Sequence, residues 1–387
     1  MSDPVISPDG KWMWTGSEWI PAPPAVEPVS VSMQDSVIAG DINITQNNSD
    51  DIAIAMITAL ERVGFSGQSS PAELTPSQEK EVEEILEISE QLAGHGIEID
   101  PWTEITLGDA ADLAGRTHSA QQHYLRALET FRKNSDRKGM AKSLNNLGNI
   151  AETRGDLAEA ERLYRESLTI RREIGDRKGE ADSLGNLGII ANTQGELTEA
   201  EWLHQESLDI KRKIGDRLGE ATTLNNLGSI PRKRGDLVEA ERLYRESLAI
   251  LREIGDQQRV ATLLGNLGLI TETQGDLAEA ERLNRESLAI SREIGDRKGE
   301  AFSLNNIGSI AGTRGDLVEA ERLYRESLTI RREIGDRKGE ANSLGNLGRI
   351  ASKNGNMDYR DRCFTESVRI QREIGIPIDP WFTKNGY

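Results

Sequence analysis

A glycine returns every 20 residues from Gly155 to Gly375 without a miss, and in nine of these twelve places Asp follows directly. Gly155-Asp156 and Gly175-Asp176 show the rule; Glu196, Asn356 and Ile376 are the exceptions. Each interval reads as one helix and each Gly-Asp pair as a joint. Glycine takes the left-handed conformation that closes one helix, and Asp accepts from the free N–H groups that open the next. Glu159, three residues after Asp156, completes a capping-box-like pattern in which its carboxylate reaches back. Two kinds of interval alternate, so the true unit is 40 residues long. The pattern predicts an all-α solenoid of helical hairpins, each burying its apolar face on its neighbours.

Charge separates this array from what precedes it. The chain carries a net −18, and residues 1–100 hold 18 Asp and Glu against 3 Lys and Arg. Residues 101–387 hold 47 against 44, so the acidity belongs to the N-terminal part. No basic footprint points to nucleic acid. A single cysteine, Cys363, fits a reducing compartment, and no run is long and apolar enough to span a membrane. The start, Met1-Ser2-Asp3-Pro4, lacks the regions of a signal peptide, which predicts a cytoplasmic protein.

Four segments follow from composition: 1–24, 25–100, 101–375 and 376–387. In the first, Trp12, Trp14 and Trp19 alternate around the turn signals Asp9-Gly10 and Thr15-Gly16, which predicts a small hairpin or meander before the Pro-rich stretch 21–24. Those tryptophans either cradle a proline-rich ligand or pack on the chain's own prolines. Residues 33–46 alternate around Gly40 and predict a second hairpin, marginal alone and a candidate for self-association. A short amphipathic helix is predicted from Asp50 to Val63, with Ile54, Ile57 and Leu60 on its apolar side. A further helix starts at Thr75-Pro76-Ser77-Gln78, with Thr75 as cap and Gln78 reaching back, and runs to about Ala93.

With Ala141 as position 1, positions 7 and 8 are Leu-Gly at 147–148, 187–188, 227–228, 267–268 and 347–348, with Ile307-Gly308 the variant. Position 20 is Ala160, Ala200, Ala240, Ala280 and Ala320; position 24 is Tyr164, His204, Tyr244, Asn284 and Tyr324; position 27 is always Ser. Gly at 8 and Ala at 20 let paired helices approach closely, while Leu at 4, 7, 17 and 23 fills the seam. Leu107-Gly108, Ala120 and Tyr124 extend the register backward, giving seven repeats that start at 101, 141, 181, 221, 261, 301 and 341. The pattern resembles the tetratricopeptide repeat. Its 40-residue unit is similar to the subclass in LGN/Pins scaffolds and kinesin light chains, most closely from Ile174 to Gly188. The resemblance implies a right-handed superhelical solenoid of seven hairpins, preceded by a small β-hairpin and helix module. It also implies a non-enzymatic scaffold that binds a protein or peptide in a concave groove, without a cofactor.

Position 6 carries the sharpest functional signal, because it is Asn in six consecutive repeats: Asn146, Asn186, Asn226, Asn266, Asn306 and Asn346. The resemblance places these on the inner surface, as a ladder that holds an extended peptide. Each amide offers two donors and an acceptor to a peptide backbone. The competing reading is that each Asn bonds to a neighbouring helix and only orients the stack. Specificity would lie at positions 2, 9, 12 and 13, which include Lys142, Asn149, Glu152, Arg232, Lys233, Glu272, Phe302, Arg349 and Lys353. Pro231, inside a first helix, removes one backbone bond and costs about 3 kcal/mol or kinks the helix. His118 and His123 are five apart and do not share a helical face, which argues against a metal site; His204 reads as a core residue. A second function class stands beside the scaffold: a regulatory sensor, whose repeats respond to a ligand and act through the N-terminal module.

Overall fold

The computed structural model describes residues 5–6, 12–14, 19–21, 49–65, 74–94, 96–378, 382 and 384. The chain forms two compact units, residues 1–175 and 176–387. The stretch 33–46 and the residues that follow Pro21 up to 48 lie outside the described residues.

In the first unit, three short strands, β1 (Val5–Ile6), β2 (Trp12–Trp14) and β3 (Trp19–Pro21), pair antiparallel in that order. Helices α1 (Ser49–Arg62) and α2 (Pro76–Gly94) follow, then α3 (Pro101–Leu113) with α4 (Thr117–Lys133) and α5 (Arg137–Thr153) with α6 (Leu157–Ile174). The apolar face of α1 is turned from the one the spacing predicts. Ile54 is 62% exposed, while Ala55, Met56, Ala59, Leu60 and Val63 are buried. Their three-and-four spacing makes a narrower stripe that seats α1 against α2 and α3. At the start of α2 the predicted box forms: the Thr75 N–H donates to Gln78 Oε1 at 2.9 Å. Val82, Ile85, Leu86, Ser89 and Leu92 are buried along it.

The second unit repeats one hairpin five times: α7 (Arg177–Gln194) with α8 (Leu197–Ile214), α9 (Arg217–Arg234) with α10 (Leu237–Ile254), and α11 (Gln257–Gln274) with α12 (Leu277–Glu293). Then come α13 (Arg297–Arg314) with α14 (Leu317–Glu333) and α15 (Arg337–Lys353) with α16 (Met357–Glu373). Within each unit, every hairpin also packs on the next.

The joints work as the period implies. Gly175 has φ 70° and closes α6, and Asp176 accepts the Gly179 N–H at 3.0 Å to open α7. One joint departs from glycine: Ser135 sits at φ 56°, the one positive-φ residue other than glycine among those described. The capping box is only half made. Asp156 accepts the Glu159 N–H at 3.1 Å, but the Glu159 carboxylate faces Arg162, at 2.7 and 2.8 Å, instead of reaching back. A two-pronged guanidinium one turn along is the stronger partner.

Two contacts weld each hairpin. The residue at position 24 lies directly on the glycine at position 8, so a Cβ added to Gly148 would fall 2.5 Å from the Tyr164 ring. The serine at position 27 donates to the carbonyl at position 1 across the hairpin, as Ser167 to Ala141 at 2.8 Å and Ser247 to Ala221 at 2.7 Å. Pro231 does not end α9, which runs as long as α7; its carbonyl accepts the Asp236 N–H at 2.9 Å.

Candidate partner-binding face

The first helices of neighbouring hairpins touch one another: α3 with α5 in the first unit, and α7 with α9, α11 with α13 and α13 with α15 in the second. Where they touch, side chains at positions 2, 6, 9 and 12 of one repeat meet polar groups at positions 5, 9 and 12 of its neighbour. Much of the polar inventory of this face is spent on those meetings.

The six asparagines are not equivalent. Asn146 is buried and its amide donates to Asp109 Oδ1 at 2.9 Å, on an oxygen that also accepts the Tyr124 hydroxyl at 2.7 Å. Asn306 is buried and donates to Asn284 Oδ1 at 3.0 Å. Asn346 donates to Asn305 Oδ1 at 3.0 Å and accepts from Arg349 at 3.3 Å. Asn186 is engaged as well. Asn226 and Asn266 are half-buried, and among the described residues their side chains meet no hydrogen-bond partner. Four of the six amides are thus engaged within the chain, and two in the middle of the second unit are not.

The cations divide in the same way. Lys233 donates to the Asn192 carbonyl at 2.8 Å and Lys353 to the Gly312 carbonyl at 3.4 Å. Each thereby satisfies a carbonyl near the end of the preceding first helix, where positive charge is favoured. Arg232 reaches the Tyr244 hydroxyl. Glu272 accepts the Ser309 hydroxyl at 2.7 Å, and Asn149 and Glu152 both accept the Tyr164 hydroxyl. Lys142 stands 4.0 Å from Asp109, and Phe302 covers Gly265. A cavity of about 160 Å³ lies in the same two repeats, lined by Ala221, Thr222, Asn225, Ser247, Leu251, Arg259, Thr262 and Leu263.

A buried polar cluster escaped the sequence reading. His123 is fully buried, with Nδ1 2.6 Å from Glu104 Oε2 and Nε2 3.4 Å from Ser89 Oγ, and Arg126 Nε donates to Glu104 at 2.9 Å. The order Ser-His-Glu has the look of a nucleophilic triad. The Ser89 hydroxyl instead donates to the Leu86 carbonyl at 2.7 Å, and all three side chains are shut from solvent. The cluster ties α2 to the first hairpin; the signal available in sequence was a polar Ser89 on an apolar helix face. His204 is 1% exposed, both ring nitrogens lack a partner, and burial together with the charge of Lys211 pushes its pKa down to about 4. Cys363 is buried, and burial raises its thiol pKa. Among the described residues no group of three His, Cys, Asp or Glu could hold a metal, and no helix is long and apolar enough to cross a membrane.

Comparison with protein-family models matches the tetratricopeptide repeat at residues 139–213, 219–293 and 299–373. Comparison with curated proteins gives no match. Among solved structures, aspartyl phosphate phosphatase F from Bacillus subtilis is similar with a TM-score of 0.58 and 12% identity, over 84% of this chain and 82% of that one. A signal-transduction ATPase with a tetratricopeptide repeat sensor from Pyrococcus horikoshii gives 0.57 and 14%, over 78% and 48%. A Rap protein complexed with Competence and Sporulation Factor gives 0.51 and 14%, over 81% and 89%. At these identities the likeness is one of fold.

Proposed function

The chain belongs to the tetratricopeptide-repeat family, and on that premise we propose that it is a non-enzymatic scaffold that holds a peptide or partner helix along its first helices. The binding stretch is centred on the repeats that begin at 221 and 261. One observation carries this reading: the amides of Asn226 and Asn266 are half-buried without a partner, while their counterparts Asn146, Asn306 and Asn346 are bonded. A half-buried amide that its own chain leaves open favours a ligand that bonds to it, because desolvating it unpaired costs about 1–3 kcal/mol. A 160 Å³ cavity in the same repeats, lined by Thr222, Asn225 and Thr262 among others, gives such a ligand a place for a side chain. Arg232, Arg349, Lys233 and Lys353 are secondary in this scheme, since each already has a partner on its own chain. The test is a pull-down with the full chain against Asn226→Ala/Asn266→Ala. The double variant should keep its fold and lose its partners; unchanged capture would end the reading.

A second reading, a regulatory sensor acting through the N-terminal part, is favoured by a separate observation. Helices α1 and α2 are packed on the first hairpin, through the Ser89–His123–Glu104 cluster and an Arg116–Glu83 ion pair. The similarity to a protein whose repeats serve as a sensor supports it at the level of fold.

A further inference from the structure

Position 5 alternates between Asn and Gly along the second unit: Gly185, Asn225, Gly265, Asn305 and Gly345. Position 5 faces position 2 of the following repeat at Gly265 and Gly345, and Gly185 is their sister position. At Gly265 the seat is filled by Phe302, whose ring stands 2.9 Å from where a Cβ would be. At Gly345 it is covered by Phe382, 3.9 Å from that point, which is 80 residues after Phe302 and so in the same register. Phe382 is held there by an edge-on contact with Phe364, centroids 5.2 Å apart, and by Val368 and Ile378. Both glycines are buried.

Gly185 differs. Thr222 stands where the aromatic belongs, Gly185 is half-exposed, and the nearest atom to its virtual Cβ is Ser207 Oγ at 3.8 Å. One repeat along, Thr262 takes the same position opposite Asn225, and there the 160 Å³ cavity opens, with Thr222 in its wall. Asn226, one helical turn after Thr222 on the same face of α9, carries an amide without a partner among the described residues.

We propose that the Gly185 seat takes an aromatic side chain from the peptide bound in the groove, as Gly265 takes Phe302 and Gly345 takes Phe382. This rests on the groove reading above and adds the side-chain class the groove selects. The chemistry is that of an aromatic ring set against half-exposed glycine backbone, with the Asn226 amide available to the peptide main chain. The chain's own segment 376–387 supplies the pattern, since its Phe382 already occupies a sister seat.

The test uses a fluorescein-labelled synthetic peptide with the sequence of residues 376–387, titrated into the full chain. It should bind the wild type, and replacing its Phe by Ala should weaken binding about tenfold or more, as for an anchoring aromatic. Thr222→Phe, which fills the seat from inside as Phe302 does, should weaken it by a similar factor with the fold intact by circular dichroism. Gly185→Ala serves as a second variant, because its Cβ meets only Ser207 Oγ, at the ordinary contact distance of 3.8 Å. If Asn226→Ala/Asn266→Ala abolishes binding while Thr222→Phe and Gly185→Ala leave it unchanged, the groove stands and the seat falls. If the seat variants act and the asparagine pair does not, the seat stands and the ladder falls. Failure of the peptide to bind the wild type overturns the seat.

Discussion

The hairpins that begin at 221 and 301 have nearly the same sequence and differ in what they leave open. Both carry Leu-Asn-Asn followed by Leu-Gly or Ile-Gly, both have Tyr at position 24, and both lock Ser to Ala across the hairpin. In the 301 hairpin Asn306 is buried and bonded; in the 221 hairpin Asn226 is half-buried and unpartnered. The cause lies outside both, in the hairpin before each. Asn284 replaces the Tyr of position 24 in the 261 repeat, and its short side chain offers the oxygen that Asn306 takes. The repeat before 221 has His204 at that place instead, and its nitrogens stay without partners. A repeat's surface is thus decided by its neighbour as much as by its own residues.

The largest effect that sharpens this comparison should come from His204. Its folded pKa, about 4, lies below the ordinary value of 6.5, so between these two pH values the unfolded chain binds a proton that the folded chain refuses. Stability from this group is complete above pH 6.5 and falls as pH drops toward 4, by about 3 kcal/mol in all. His204→Tyr restores the residue of the sister hairpins and should remove that loss. Urea unfolding of both proteins at pH 7.5 and pH 4.5 measures it; parallel losses in the two would show that His204 is not the source.

A smaller effect concerns the glycine at position 8. A Cβ on Gly228 would lie 2.5 Å from the Tyr244 ring, and one on Gly308 would lie 3.0 Å from Tyr324. Gly228→Ala should cost about 2 kcal/mol and Gly308→Ala about half of that, since overpacking grows with the overlap that must be relieved. Urea midpoints in the reverse order would mean that the two rings yield differently.

The hairpin solenoid was legible in the sequence because local chemistry writes it: the Gly-Asp joint fixes where each helix ends, and Leu-Gly with Ala marks the close seam. The same locality hid the rest. The partner of Ser167 lies 26 residues away, and those of Asn146 and Asn346 lie 37 and 41 away in another repeat. No spacing within one repeat reveals such bonds. Six identical asparagines looked like one ladder because a sequence shows the rung and not what stands beside it. Ile54 misled for a related reason, since packing against α2 and α3 chose the stripe of Ala55, Met56, Ala59 and Leu60 beside it.

The most direct test of the claim that neighbours divide these rungs is the stability of Asn306→Ala against Asn226→Ala, each measured by urea unfolding without any ligand. Removing Asn306 leaves the buried Asn284 oxygen unsatisfied and should cost about 1–2 kcal/mol. Asn226→Ala should change stability by less than about 0.5 kcal/mol, because the side chain has no partner to lose. Equal losses in the two variants would contradict the account, since they would mean that Asn226 is held by its own chain as Asn306 is.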